Sequence, residues 1–326
     1  MELPRRTFLR FTGACVAAPV FSEFAKAQSY PTRPVTMIVP LAAGGSVDAM
    51  ARVLAEGMRK SLGQSVVIEN VSGADGSIGI TRTARARPDG YTIDFGGIST
   101  HVLNGAFYSL QYNLLDELAP IAAVGAGPLL LIASKTVPAN DLRELIDWLK
   151  ANPNKASAGI GLASIRLMNY VFQKETGTRF ALVPYRGNAP AMRDFLAGQI
   201  DLLFDAVAQL PLLRAGNIKA YAVTTDTRFP TAPDIPTFRE LGLPALSISS
   251  WVALFAPKGT PRDIISKLNT AVMEALTDPA VRSRLLDLGI ETFPREQQTP
   301  EALEAMRKAD AEKWWPIIKE AGIKAE

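Results

Sequence analysis

Cysteine and histidine are almost absent from this chain of 326 residues, which has one of each, Cys15 and His101. A disulfide within the chain is therefore excluded, and a metal site made of histidine and cysteine ligands is not expected. No stretch of about 20 apolar residues occurs either, so the sequence predicts no transmembrane helix. Neither sign of charge is in large excess, since the chain has 35 lysines and arginines and 32 acidic residues. This small, scattered excess argues against a nucleic-acid partner and favours a small molecule.

Apolar residues, in contrast, are abundant: they make up 48% of the chain, against 21% charged residues. Such a composition is typical of a globular protein with a large core. At roughly 100–200 residues per domain, a chain of this length is expected to form two domains.

The first 27 residues have the composition of an export signal. Arg5 and Arg6 precede an apolar stretch over 11–24, and a small-residue cleavage pattern then ends at Ala27. Paired arginines followed by Phe-Leu resemble the twin-arginine type of leader, and an ordinary secretory leader is the alternative. Either type predicts cleavage after Ala27 and an extracytoplasmic mature protein. Cys15 would be removed with the leader, so the mature chain would contain no thiol.

Short apolar runs alternate with longer segments of helical period along the mature chain. The run 35–39 is a predicted strand, a glycine-rich loop follows it, and apolar residues at helical spacing then continue to Gly63. The same alternation of predicted strands and helices recurs over 141–224. It indicates an α/β fold with parallel strands joined by helices. Ser46 is the predicted cap of the first helix.

Two apolar segments, 121–133 and 249–256, frame the second α/β unit and are long enough to cross from one sheet to another. After Pro261 the patterns are helical apart from a short predicted strand at 290–293, and we expect them to complete the first unit. Two lobes joined by two crossings would open and close around a central cleft. The predicted parts are lobe 1, comprising 28–130 plus 253–326, and lobe 2, comprising 131–252.

The first candidate binding site is the glycine-rich loop from Pro40 to Ser46, between a predicted strand and a predicted helix. Backbone N–H groups and the positive end of the helix dipole favour an anion there, such as a carboxylate. The loop has neither the Gly-Lys-Ser/Thr ending of a nucleotide P-loop nor the spacing of a dinucleotide fingerprint. The alternative is that its glycines only make a tight turn. Asp48 is expected to order the loop or interact with the helix dipole rather than to act as a base.

Two further loops, 73–79 and 96–101, follow successive predicted strands and should open on the same sheet edge. Ser99 and Thr100 are placed to donate hydrogen bonds to a carboxylate, and a role as helix caps is the alternative. A Ser-His-Asp triad would need His101, but no G-x-S-x-G motif occurs in the sequence. We therefore predict no catalytic residue.

The second unit has a polar rim of its own, formed by 159–164 and 185–188. Asp205 ends a predicted strand and would face the cleft, where it could accept a hydrogen bond from an ammonium or hydroxyl group; solvation in a loop is the alternative. Asp201 lies about 13 Å from Asp205 at 3.3 Å per residue, which is too far for a glycosidase carboxylate pair.

Taken together, several motifs of the sequence resemble one known family. In order and spacing they are similar to the periplasmic solute receptors of tripartite tricarboxylate transporters, the Bug family, over about 30–323. The segments that carry the resemblance are 39–52 (VPLAAGGSVDAMAR), 69–79 (ENVSGADGSIG), 88–92 (PDGYT), 184–191 (PYRGNAPA), 196–201 (LAGQID), 222–225 (AVTT), 233–237 (PDIPT) and 256–261 (APKGTP).

The resemblance implies two Rossmann-like α/β lobes around a ligand cleft, the Venus-flytrap arrangement of type II periplasmic binding proteins. It implies a receptor that binds a small mono- or dicarboxylate without cofactor, metal or chemistry, and delivers it to membrane transporter subunits. We expect the receptor to be a monomer. Backbone amides, hydroxyls and bridging waters would hold the carboxylate. The implied ligand-binding residues are Leu41, Ala42, Ala43, Gly44, Gly45, Ser46, Asp48, Ser99 and Thr100 in lobe 1, and Gly161, Ala163, Ser164, Gly187 and Asp205 in lobe 2.

The sequence departs from the family pattern at two positions where the family usually has a histidine or a lysine. Ile165 or Arg166 stands where the family usually has a histidine, and Arg186 replaces the commoner lysine. An arginine that faced the cleft would clamp a second carboxylate through paired hydrogen bonds. Two other functions stay open at this point: a sensor that presents the bound solute to a signalling protein, and a secreted α/β enzyme. The missing thiol, the single histidine and the absent nucleophile motif disfavour the enzyme.

Overall fold

Two mixed β-sheets flanked by helices make up the fold. The computed structural model describes residues 30–110 and 112–323, and the predicted export signal over 1–27, with Cys15, lies outside the described residues. From Pro31 onward the chain forms one compact unit that contains both sheets.

The larger sheet has six strands in the order β11-β4-β10-β3-β1-β2. β1 runs parallel to β2 and β3, whereas β10 pairs antiparallel with β3 and β4, and β11 pairs antiparallel with β4. The strands are β1 (Val35–Val39), β2 (Val66–Asn70), β3 (Thr92–Gly97), β4 (Leu118–Gly127), β10 (Ser250–Pro257) and β11 (Glu291–Thr292).

The smaller sheet has five strands in the order β7-β6-β8-β5-β9. Its strands are β5 (Leu129–Ser134), β6 (Ser157–Ile160), β7 (Ala181–Pro184), β8 (Leu202–Ala206) and β9 (Ile218–Val223). β6 runs parallel to β7 and β8, and β5 runs antiparallel to β8 and β9. The expectation of parallel strands is thus correct for β1–β3 and for β6–β8, whereas every pair that involves β4, β5, β9, β10 or β11 is antiparallel. Apolar periodicity identifies a strand but carries no information about its direction.

The helices cover the sheets and begin mostly where the periodicity predicts. They are α1 (Ser46–Leu62), α2 (Ser77–Ala84), α3 (Asn104–Phe107), α4 (Leu142–Ala151), α5 (Ala163–Thr176), α6 (Asn188–Leu196), α7 (Leu210–Arg214), α8 (Arg262–Ala275), α9 (Pro279–Asp287) and α10 (Pro300–Glu320). The cap prediction for α1 is wrong by one residue, because Gly45 is the N-cap and Ser46 is already helical. The predicted loop over 96–101 is in fact the end of β3 followed by a π-helical turn, Ser99–Leu103.

β5 lies between β8 and β9 in the smaller sheet and is buried along its whole length. Leu129 and Leu131 belong to one apolar cluster, and Leu130 and Ile132 belong to another. Because alternate side chains of a strand point to opposite faces, apolar groups cover both faces of this sheet. This double burial explains why 129–134 is an unbroken apolar run rather than an alternating one.

The chain changes sheets twice. β4 leads directly into β5 with only Pro128 between them, so the predicted crossing over 121–133 is confirmed. The predicted crossing over 249–256 is wrong, since β10 pairs with β3 and β4 along its length and the return is made over 224–249. Thr224 joins the two passages: its Oγ1 accepts from Leu129 N–H (2.9 Å) and donates to Ile248 O (2.8 Å).

Candidate functional site

Loops at the carboxyl ends of strands from both sheets enclose two neighbouring cavities. The first, the helix-end cavity, has a volume of about 320 Å³ and is lined by the starts of α1 and α6 and by the end of β8. The second, the arginine cavity, has a volume of about 550 Å³ and is lined by the loops after β1, β2, β6 and β7, including Arg166. Leu41, Ala42, Arg186 and Gly187 line both cavities. This is the sheet edge at which open α/β folds bind ligands.

Asp48 holds the loop between β1 and α1 in place. It is buried, and its carboxylate accepts hydrogen bonds from Gly44 N–H (3.0 Å), Arg52 Nε (3.1 Å) and Asn70 Nδ2 (3.0 Å). The same Asn70 amide donates to Leu41 O (3.1 Å). Burial alone would raise the pKa of Asp48, but the hydrogen bonds from Arg52, Gly44 and Asn70 together hold that pKa below its usual value. Asp48 therefore orders the loop, as its sequence position predicts.

The amides at the start of α1 are the donors that remain in this loop. The first helical hydrogen bond runs from Ala49 N–H to Gly45 O, so Ser46 and Val47 precede it and have no partner within the helix. Both residues line the helix-end cavity, where the helix dipole favours negative charge. The Gly44 amide, which was expected to face a ligand, instead donates to Asp48.

Lobe 2 brings a second helix start to the same cavity. α6 begins at Asn188, and its N-cap is Gly187, whose φ of 106° only glycine adopts readily. The backbone of Gly187 also touches Gly161, where an added Cβ would lie 2.4 Å from the Gly187 carbonyl carbon. Two helix N-termini, one from each lobe, thus line one small cavity.

Asp205, at the end of β8, forms the acidic wall of the helix-end cavity. It is 5% exposed and accepts hydrogen bonds from Asn188 Nδ2 (2.9 Å), Ala206 N–H (2.8 Å) and Gln209 Nε2 (3.2 Å). Burial raises the pKa of Asp205 to about 6, against the opposing effect of those three donors. No cation is among these partners, which explains why its pKa shifts in the opposite direction from that of Asp48.

Ser99 and Ser164 join the two lobes directly. Ser99 Oγ donates to Ser164 Oγ over 2.7 Å, and Ser164 N–H donates to Ser99 Oγ over 3.3 Å. Ser164 is 1% exposed and Ser99 is 9% exposed. Their hydroxyl groups therefore contact each other rather than either cavity.

His101 belongs to a closed polar network. Its Nδ1 lies 2.9 Å from Thr100 Oγ1 and its Nε2 lies 2.9 Å from Asp94 Oδ1, while its ring stacks on Phe255 with centroids 4.2 Å apart. The Thr100 hydroxyl also donates to Gly97 O (3.3 Å). His101 and Asp94 are fully buried, so this Asp-His-Thr series has no access to a substrate.

The structure thus groups most of the predicted site residues and separates the rest. Those lining the helix-end cavity are Leu41, Ala42, Gly44, Gly45, Ser46, Asp48, Gly187 and Asp205. Gly161 lines only the arginine cavity. Those lining neither cavity are Ala43, Ser99, Thr100, Ala163 and Ser164. The prediction that hydroxyls of the 96–101 segment face the solute is corrected, because the π-helical turn directs them into hydrogen bonds within the protein.

Sequence reasoning missed other cavity residues. Asp75 and Tyr108 line the arginine cavity, and Asn188 and Gln209 line the helix-end cavity. Asp75 stands in the predicted glycine-rich loop over 73–79, and its left-handed backbone does not follow from residue type. Among the described residues, acids and histidine form no cluster able to hold a metal ion. None of the described helices has the length and apolar character needed to cross a membrane.

Comparison with known proteins gives consistent matches over nearly the whole chain. Residues 50–323 match the family described as tripartite tricarboxylate transporter family receptor. An Agrobacterium vitis protein encoded in the TAR-I ttuE-ttuC' intergenic region is 37% identical over 318 residues, which are 96% of this chain and 92% of that protein. Protein BugT of Bordetella pertussis is 35% identical over 321 residues, 95% of this chain and 94% of BugT.

Solved structures agree with these relatives. The periplasmic binding protein BugD has a TM-score of 0.85 and 38% identity, and the match covers 91% of this chain and 100% of BugD. MatC from Rhodopseudomonas palustris with bound malate has a TM-score of 0.84 and 35% identity over 89% of this chain and 100% of MatC. The chain therefore belongs to the tripartite tricarboxylate transporter receptor family and is a periplasmic solute-binding protein with two α/β lobes, as its sequence motifs predict.

Proposed function

We propose that this receptor captures a small mono- or dicarboxylate in the helix-end cavity and binds it without turnover. The observation that carries the proposal is the convergence of two helix N-termini, those of α1 and α6, on one cavity of about 320 Å³. Each N-terminus offers unpaired amides and a positive dipole end to an anion. The related MatC structure contains malate, and the related R. palustris protein Rpa4515 was solved with adipate, which supports the assignment to carboxylates.

The proposed site uses the predicted residues in two ways. Gly45, Ser46 and Gly187 lie where the solute binds, and Asp48 keeps the loop in shape from behind. Ser99 and Ser164 contribute by holding the lobes together rather than by touching the solute. Absence of turnover is part of the proposal, and the enclosure of His101, the only histidine in the sequence, supports it.

We place the lobe boundaries at the sheet changes, which the strand pairing supports. Lobe 1 then holds β1–β4, β10 and β11, and lobe 2 holds β5–β9. Residues 1–27 would be a twin-arginine export signal removed after Ala27. The mature receptor would act as a monomer that passes its solute to membrane transporter subunits.

The test measures the solute affinity of the mature chain and compares a variant substituted inside the helix-end cavity with a control variant substituted outside it. A Cβ added at Gly45 meets only Ala42 O at 3.6 Å, an ordinary contact, and Gly45 has a negative φ, so Gly45→Val fits the backbone. Ala43→Val is the matched control, because Ala43 is exposed in the same loop and lines neither cavity.

A screen of mono- and dicarboxylates by thermal shift, with product analysis, identifies a bound solute, and calorimetry then gives its affinity. We expect Gly45→Val to weaken binding at least 10-fold while lowering the melting temperature by only a few degrees, the cost of valine at a helix N-cap. Ala43→Val should stay within about twofold, since only a bulky group inside the small cavity displaces the anion. Equal affinities for both variants, or formation of product from the solute, would refute the proposal.

A further inference from the structure

We propose that the receptor takes up one proton on Asp205 when it binds a carboxylate group in the helix-end cavity. The proton comes from the solvent and forms an O–H bond on the Asp205 carboxylate, and no bond of the solute changes. The added proton offsets the negative charge of the bound group, so solute and proton are captured together. This inference rests on the proposed function, because it takes the helix-end cavity to be the carboxylate site.

The first observation is that Asp205 and the proposed anion share one small space. Asp205 is 5% exposed and lines the cavity of about 320 Å³ that also contains the starts of α1 and α6. Two carboxylates that share a buried site cannot both stay ionised without a large cost, so one of them gains a proton. The solute carboxylate is stabilised by the amides of two helix N-termini. Asp205 is therefore the group that takes up the proton.

The second observation concerns the other charges around this cavity. The charged side chains that line it are Asp48, Arg186, Arg193 and Asp205. Asp48 on α1 pairs with Arg52 at 3.0 Å, which keeps it ionised. Arg186, before α6, and Arg193, on α6, are exposed to solvent, and in the described part of the chain neither bonds to Asp205. On the neighbouring β5, Leu130 lies opposite Asp205 and brings no charge. Asp205 is thus the buried acid whose charge no cation offsets.

The third observation is that the hydrogen-bond partners of Asp205 suit both of its protonation states. Asn188 Nδ2 donates to Oδ1 (2.9 Å), and Gln209 Nε2 donates to Oδ2 (3.2 Å). A primary amide that rotates by 180° presents its oxygen instead and accepts a hydrogen bond. Asn188 Oδ1 is buried and has no partner among the described residues while Asp205 accepts from the Asn188 amide. A protonated Asp205 would therefore find an acceptor without movement of the backbone.

Proton uptake makes solute affinity depend on pH in one direction. The pKa of Asp205 in the ligand-free protein is about 6, so the group is mostly ionised at pH 7 and above. A bound anion raises this pKa further, because it disfavours a second negative charge nearby. Affinity therefore falls as the pH rises through the pKa of the complex. Below about pH 6, Asp205 is already protonated in the free receptor, and affinity no longer changes with pH.

The experiment counts protons by calorimetry on the mature chain. The probes are malate and adipate, the acids of the related structures, and the tightest further acid of the thermal-shift screen. Titrations at pH 7 in two zwitterionic buffers of different ionisation enthalpy give the number of protons taken up, and titrations from pH 6.5 to 8.5 give the affinity. The variant is Asp205→Asn, which has the same shape and cannot ionise. Asp147→Asn is the matched control, because Asp147 is an exposed acid of lobe 2 outside both cavities.

Wild type should take up at least about half a proton at pH 7 and bind about 5- to 10-fold more weakly at pH 8.5 than at pH 6.5. Asp205→Asn should take up no proton, and its affinity should change less than about twofold over the same range. At pH 8.5 this variant should bind more tightly than wild type, because its side chain carries no negative charge. Asp147→Asn should match wild type in both proton uptake and pH profile.

Binding by wild type without proton uptake would overturn the inference, a result that needs no variant to fold. An uptake that persists in Asp205→Asn would overturn it too, and so would affinity that rises with pH, the result expected if a hydroxyl or ammonium group of the solute donates to ionised Asp205. The proposed function survives these results as long as Gly45→Val still weakens binding. If no carboxylate binds wild type, or if Gly45→Val binds as tightly, the proposed function itself fails and the proton linkage fails with it.

Discussion

Two aspartates at the same cavity have opposite electrostatic surroundings. Asp48 forms an ion pair with Arg52 at 3.0 Å, and its pKa is held below the usual value. Asp205 accepts only from uncharged donors, and burial raises its pKa to about 6. The first acid is therefore a permanent structural anion, and the second is a group that titrates near neutral pH beside the proposed carboxylate site.

Replacing Asp205 by asparagine should stabilise the ligand-free protein at pH 8. The folded pKa of about 6 lies above the unfolded value of about 3.9. Protonation of Asp205 therefore adds stability to the folded protein. This added stability is fully present below about pH 4 and is lost as the pH rises through 6. The shift corresponds to at most about 3 kcal/mol. Asparagine cannot ionise, so the variant does not lose this stability at high pH. Asp205→Asn should therefore unfold at a higher denaturant concentration than wild type at pH 8, and the difference should vanish by pH 4.

Gln209 makes this substitution structurally acceptable. Its side-chain amide donates to Asp205 now, and a rotation by 180° would present its oxygen to the new asparagine amide. Asp147→Asn is the matched control, because Asp147 is exposed on α4. A gain for Asp205→Asn that is the same at pH 4 and pH 8 would contradict the titration argument.

Residue roles were predictable only where a local pattern determines them. Asp48 stands in the first turn of a predicted helix after a glycine-rich loop, so an ordering role followed from its position. Its bond to Asn70 did not, because 22 residues separate the two and their contact depends on β1 pairing with β2. Arg166 and Arg186 were recognisable as unusual, but only the folded lobes show that both line the same cavity.

At the scale of elements, one side chain links two neighbouring strands to the start of a helix. Asn70 ends β2, and its amide donates both to Leu41 O (3.1 Å) and to Asp48 Oδ1 (3.0 Å). The loop between β1 and α1 is therefore held from the side by β2. Its amides are pre-positioned for an anion, which lowers the entropy lost on binding.

Asn70→Ala should loosen this loop and weaken solute binding. It removes the two hydrogen bonds that the amide donates and a third that its oxygen accepts from the exposed Arg52 (3.4 Å). At about 1 kcal/mol for each of the first two, we expect a loss of about 1–2 kcal/mol in unfolding free energy. Carboxylate affinity should fall several-fold in calorimetry, because the α1 amides are no longer held in place.

The matched control is Glu69→Ala on the same strand. Glu69 forms an exposed ion pair with Arg82, which should contribute less than about 1 kcal/mol, and it lines neither cavity. An Asn70→Ala protein that binds solute as well as the Glu69→Ala protein would show that the loop needs no support from β2.

Element type was predictable because the apolar periods of 2 and 3.6 differ clearly along this chain. The π-helical turn Ser99–Leu103 was not predictable, since its residues satisfy a loop pattern equally well. It is stabilised from outside: Trp315 Nε1 on α10 donates to Val102 O over 2.9 Å. Such a contact joins residues more than 200 positions apart, and no local pattern reports it.

At the scale of the whole molecule, two passages and several direct contacts connect the lobes, among them the Ser99–Ser164 hydrogen bond and the packing of Leu286 against the apolar cluster of lobe 2. Thr224 fastens both passages at one point through Leu129 and Ile248. The Ser99–Ser164 hydrogen bond joins the π-helical turn after β3 to the first turn of α5. The sequence predicted two lobes and one of the crossings, because an unbroken apolar run between two α/β units is a local feature. The second crossing was misplaced, since β10 has the same apolar character but pairs within the larger sheet.

Ser164→Ala should favour the open arrangement of the lobes. The Ser99–Ser164 contact exists only when the lobes meet, so losing it, at about 1 kcal/mol, removes stabilisation from the closed state alone. We expect carboxylate affinity to fall about 5-fold, and the radius of gyration from small-angle scattering to rise at subsaturating solute. Ser157→Ala is the matched control, because Ser157 Oγ donates to Asp201 within lobe 2 (3.1 Å). Equal affinity losses for the two alanine variants would mean that the serine pair does not report on closure.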